Sequence, residues 1–89
     1  MTEKLPKQKT ITTEEGNEYV LQAPTNRIAM RIIDEAGIMN DEFKIAGASR
    51  LILKEVVIQP QDLKEDDFES IKELIEVCSE SLSFLTTGK

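Results

Sequence analysis

Eighty-nine residues make one domain with a modest core, since a chain this short buries only roughly 60% of the surface it exposes when unfolded. A formal net charge of −6 argues against nucleic acid as a partner, because duplex affinity comes largely from Lys and Arg on phosphates. The chain has no histidine, which removes the usual proton shuttle at neutral pH and the commonest nitrogen ligand for metals.

Residues 1–9, MTEKLPKQK, are polar and Lys-rich and lack the apolar segment of a secretory signal. They are expected to form a flexible tail ahead of a single domain over 10–89. The stretch TITTEEGNEYVLQ then sets two short runs with β-branched and aromatic residues around EEGN, where Gly16 and Asn17 tolerate positive φ. That pattern predicts a β-hairpin. In its second strand Tyr19 and Leu21 share one face and Val20 and Gln22 the other, so one side can lie on helices. A lone hairpin is marginal and needs either packing or a further strand.

Pro24 closes the strand, and Thr25 or Asn26 can cap a helix running to Gly37 with Ile28, Ala29, Ile32, Ile33 and Ala36 on one face. Met30 lies off that face. GIMND reads as a short connection in which Asn40 caps the next helix, with Asp41 and Glu42 favourably placed in its first turn. This second helix is expected over about 41–57, apolar over half its circumference through Ile45, Ala46, Ala48, Ile52, Leu53, Val56 and Val57. Such width suits a central helix touched from two sides. Arg50 and Lys54 mark its solvent side, Leu51 lies off the apolar face, and the β-branched EVVI blurs the point where helix yields to extended chain before Pro60.

The last helix is expected to begin near QDLKEDDF, where Asp62 and Glu65 fit a relaxed capping box, and to run to about Leu85 with Gly88 available to end it. Phe68, Ile71, Ile75, Cys78, Leu82 and Leu85 draw one stripe along it at alternating steps of three and four, the expected core face. Val77 and Phe84, one heptad apart, fall on its back beside Ser70 and Ser81. They read equally as scattered surface residues or as a small exposed contact patch. The elements together predict an α+β fold, mostly α: an N-terminal β-hairpin followed by three helices.

Catalytic signals are missing from this pattern. Cys78 has no His to activate it and reads as a buried thiol in a reducing compartment, the cytoplasm. Glu14 with Glu15 and Asp66 with Asp67 are sequence neighbours, which on a helix point in different directions. There is no CxxC, no Gly-rich phosphate loop and no calcium loop. No catalytic, cofactor-binding or metal-binding residue is therefore expected, and enzyme is the least favoured class. Lys44, Arg50 and Lys54 form a basic side of the second helix, either solvated or able to meet the acidic last helix of a neighbouring copy. No hydrophobic run approaches the roughly 20 residues that span a bilayer, so no membrane partner is expected.

The strand EYVLQAP, the helix NRIAMRIIDEAG, the segment LILKEVVIQP and the closing DFESIKELIEVCSESLSFL, in that order, resemble the small tail assembly chaperones of long-tailed bacteriophages and Gram-positive prophages. The resemblance covers about residues 10–86. It implies a mostly helical protein without catalytic activity, working in the host cell cytoplasm. Such a protein binds the long helical tape measure protein and keeps it soluble until tail tube protein polymerises around it. It also implies self-association into a homo-oligomer and, in many members, a longer frameshifted product. The partner-binding candidates here are Met30, Leu51, Val77 and Phe84, chosen as apolar residues off the expected buried faces and not carried over from the family. The alternative is a small acidic inhibitor or DNA mimic that binds a basic host protein through the carboxylates of residues 62–80, and a third reading is a structural virion component.

Overall fold

The computed structural model describes residues 7–37 and 45–87. A hairpin comes first: β1 (Gln8–Thr12) pairs antiparallel with β2 (Glu18–Gln22), Ile11 opposite Tyr19 and Lys9 opposite Leu21. Its turn is closed by the Thr13 N–H on the Asn17 carbonyl and the Gly16 N–H on the Thr13 carbonyl, each at 2.9 Å. Gly16 takes a φ of 85°, whereas Asn17 does not enter the left-handed region. Because β1 begins at Gln8, Gln8 and Lys9 belong to the sheet and not to a tail; residues 1–6 lie outside the described residues.

The first helix, α1 (Asn26–Glu35), starts where expected: the Thr25 hydroxyl accepts from the Ile28 N–H at 3.4 Å, and the helix has ended by Gly37, which takes a φ of 73°. The connection after Gly37, including Asn40, Asp41, Glu42 and Lys44, lies outside the described residues. The second helix, α2 (Ile45–Glu55), stops short of the expected end at 57. Val57–Gln59 forms instead a third strand, β3, antiparallel on β2 with Val20 opposite Gln59, Leu21 opposite Val57 and a bulge between them. Three consecutive β-branched residues, Val56, Val57 and Ile58, lose χ1 freedom in a helix and fit a pleated surface, which is why the chain changes conformation there. The further strand that the hairpin needs is thus supplied within the chain, giving a three-stranded sheet ordered β1-β2-β3.

After the cis Gln59–Pro60 peptide the expected capping box at Asp62 and Glu65 does not form. Asp62 has a φ of 55°, and Glu65–Asp67 make a single 3₁₀ turn whose Asp67 carboxylate accepts the Lys64 N–H at 2.9 Å. The last helix, α3 (Ile71–Thr87), begins later, with the Ser70 hydroxyl accepting the Glu73 N–H at 3.2 Å. Its end at Gly88 lies outside the described residues.

The fold is α+β and mostly α, with the hairpin and three helices in the expected order and one strand added. Tyr19 and Leu21 are buried on the helix-facing side of the sheet while Val20 and Gln22 are only half-buried, as the alternation predicts. The α2 helix packs against α1, α3 and β3 and is the central one. Its contact with α1 is close: a Cβ on Gly47 would lie 2.6 Å from the Glu35 carbonyl oxygen, so only glycine fits there. The core joins Ile11, Tyr19 and Leu21 of the sheet and Val56 at the junction of α2 and β3 to Ile32, Ile52, Val77, Cys78, Leu82 and Phe84 of the helices.

Candidate functional site

The start of α3 holds a concentrated polar cluster. Glu73 is 5% exposed, and its carboxylate accepts the Thr13 hydroxyl at 2.6 Å, the Tyr19 hydroxyl at 2.7 Å and the Asn17 amide at 3.0 Å. Burial by itself would raise the Glu73 pKa, but these three donors outweigh it and hold the carboxyl below its ordinary value. Burial, and after it the bond to the Glu73 carboxylate and that carboxylate's charge, push the Tyr19 phenol upward. One turn further on, both Glu76 carboxylate oxygens receive the Glu14 N–H at 3.3 Å. At the rim Lys72 meets Glu14 at 2.7 Å, Ser70 donates to Glu15 at 3.0 Å, and Lys9 lies 3.7 Å from Glu80. Among the described residues the donors to the Glu73 carboxylate come from the hairpin, so the cluster straps the hairpin tip to α3.

The strap rotates α3 away from the expected orientation. Val77 is fully buried and Phe84 is 4% exposed, so the expected contact patch of Val77 and Phe84 is core and presents no surface. Ile71 and Ile75, placed by the stripe in the core, are 69% and 44% exposed. The cause is that two polar residues, Glu73 and Ser81, lie inside. Glu73 is satisfied by the hairpin, and the Ser81 hydroxyl donates to the Val77 carbonyl of its own helix at 2.8 Å. An apolar stripe alone gives no sign of that. Cys78 and Leu82 are buried as expected, and burial with Glu65 nearby pushes the Cys78 thiol up to about 12. Of the other candidates, Met30 is 57% exposed and Leu51 is half-buried against the core. Among the described residues the exposed large apolar side chains are therefore Met30, Ile71 and Ile75. The signal for the true start of α3 was present as Ser70-x-x-Glu73.

An open groove of about 740 Å³ runs between the end of α2, β3 and residues 61–66. Its apolar floor includes Leu53, Val57, Ile58 and Leu63, and its rim carries Arg50, Lys54 and Lys64 together with Asp62, Glu65 and Asp66. Arg50 and Lys54 are exposed, as the sequence suggests. Three cations balanced by three carboxylates give the groove no net sign, and Glu65 is already engaged by the Ser49 hydroxyl. Among the described residues no group of His, Cys, Asp and Glu side chains is placed to hold a metal ion, and no helix is long and apolar enough to cross a membrane. Comparisons of the chain with models of protein families, with curated proteins and with solved structures return no match.

Proposed function

We propose that the chain is a non-enzymatic binding protein of the tail assembly chaperone kind, which covers an apolar stripe of the long helical tape measure protein in the host cytoplasm and keeps it soluble during tail assembly. The supporting observation is the pair Ile71 and Ile75, one helical turn apart on α3 and both exposed, on a chain that is otherwise acidic. Apolar residues four apart on a helix are the spacing by which one helix reads another, and a net charge of −6 keeps the covered partner in solution. Val77 and Phe84 have no part in this contact, since they fill the core.

The exposed carboxylates of residues 65–67 and 69 give some support to the acidic-inhibitor alternative, and salt separates the two readings. Co-expression with a tape measure segment is expected to yield a soluble complex that survives high ionic strength, and Ile71→Ser with Ile75→Ser is expected to abolish capture while leaving the fold intact. A segment that stays insoluble beside well-folded protein, or a complex that dissolves steeply with added salt, rejects the chaperone reading.

A further inference from the structure

We propose that β1 is the surface by which the chain associates with a second copy of itself, two β1 strands pairing antiparallel about a two-fold axis at Thr10 to join two three-stranded sheets into one. Both ends of the hairpin ladder fix where the β1 backbone points. The Thr13 N–H donates to the Asn17 carbonyl and the Ala23 N–H to the Lys7 carbonyl, and the register between them is regular. Hydrogen-bonded pairs alternate along an antiparallel ladder, so Lys7, Lys9, Ile11 and Thr13 turn their N–H and C=O toward β2. Gln8, Thr10 and Thr12 turn theirs outward, and all three residues are exposed. Among the described residues no backbone hydrogen bond covers that edge.

The two edges of the sheet are unlike. The β3 edge is three residues long, adjoins a register shift and is followed directly by Pro60, three devices that block pairing with a further strand. The β1 edge has five residues, a regular register and no proline, and its outward residues carry no charge.

Charge along the strand selects the occupant. Lys7 and Lys9 stand at its start, and Glu14 and Glu15 follow its end. Antiparallel pairing centred on Thr10 sets Gln8 opposite Thr12 and Lys7 opposite Thr13, so the basic end of each strand meets the acidic turn of the other, once on each side of the axis. Lys9 already lies 3.7 Å from Glu80, so the exposed Lys7 is the cation brought to the turn; Glu14 already meets Lys72 and Glu15 meets Ser70, yet both stay exposed. In this register the outward N–H and C=O of Gln8, Thr10 and Thr12 bond to those of the same three residues in the second copy. A strand of a different protein would match this charge order only by coincidence, whereas a second copy matches it by symmetry.

The pairing is a property of the chain alone and does not depend on the function proposed above, so it is tested without any partner. Sedimentation of the purified chain is expected to show a reversible dimer that weakens with salt. Thr10→Pro removes only an outward N–H and keeps every bond to β2, so it is expected to preserve the circular dichroism while raising the dimer dissociation constant by about tenfold or more. With oxidised glutathione added as oxidant, Thr10→Cys is expected to form an intermolecular disulfide, because directly opposed Cα atoms lie about 5.5 Å apart, within disulfide reach. Thr12→Cys, set four residues from its own copy along the paired strands, is expected not to, and the buried Cys78 does not compete. A monomeric chain at high protein concentration overturns the proposal. So does a folded Thr10→Pro variant that dimerises like the parent, or a Thr12→Cys variant that cross-links as fast as Thr10→Cys. Should Thr10→Pro fail to fold, the two cysteine variants decide.

Discussion

A single carboxylate, that of Glu73, decides how the last helix sits. Three donors from the hairpin converge on it, and removing the charge leaves buried hydroxyls without a full acceptor. Glu73→Gln is expected to lower stability by about 2–3 kcal/mol at neutral pH, read by urea unfolding. The pH dependence has a definite sign. A carboxyl held below its ordinary value of 4.5 in the fold contributes stability that is whole above that value and is lost as pH falls through the folded value. Glu14, lowered by its bond to Lys72, acts in the same direction. Unfolding free energy is therefore expected to fall on acidification below about pH 4.5, and less steeply in Glu73→Gln than in the parent. Cys78 gives a second test at this scale. A fully buried thiol raised to about 12 is expected to resist alkylation in the native protein and to react at once in denaturant. The sequence made the burial of Cys78 legible through its place in an apolar stripe. It did not make Glu73 legible, because a charge in the first turn of a helix has an adequate explanation in the helix dipole and nothing local shows that its partners lie in a hairpin far earlier in the chain.

Among the elements, the sharpest contrast lies along α3. Phe84→Ala is expected to cost about 3–5 kcal/mol and to unfold much of so small a domain, whereas Ile71→Ser with Ile75→Ser, at exposed positions, is expected to shift the thermal midpoint little. Thermal unfolding of the variants checks both, and the opposite ranking would restore the orientation drawn from the stripe. Between α1 and α2, Gly47→Ala would push a methyl to 2.6 Å from the Glu35 carbonyl oxygen. The helices must part to admit it, at an expected cost of about 1–3 kcal/mol, although alanine is the better helix former. Helix α1 was readable almost to the residue, since its cap, apolar face and terminating glycine are all local signals. The third strand was not readable as a strand, because Val56 and Val57 fit the helical period of α2 as well as a strand. The β-branched run weakens the helix, and pairing with the edge of β2, remote in sequence, completes the choice. Of the four candidates chosen for exposure, Met30 alone is exposed, for the same reason: exposure depends on neighbours that helical periodicity does not contain.

For the molecule as a whole, β2 is the element bonded on both sides, to β1 and to β3, and it carries the fully buried Leu21. Its amides are expected to exchange with solvent more slowly than those of any other strand and only through opening of the whole domain, a pattern read by native-state hydrogen exchange. The polar strap between the hairpin and α3 has a consequence for the order of events in the cell. Thr13 and Glu73 are 60 residues apart, so a nascent chain carries the hairpin long before it carries the acceptor for Thr13, Asn17 and Tyr19. The ribosome must deliver the start of α3 before the hairpin can settle, and the core it joins closes after most of the chain has been made.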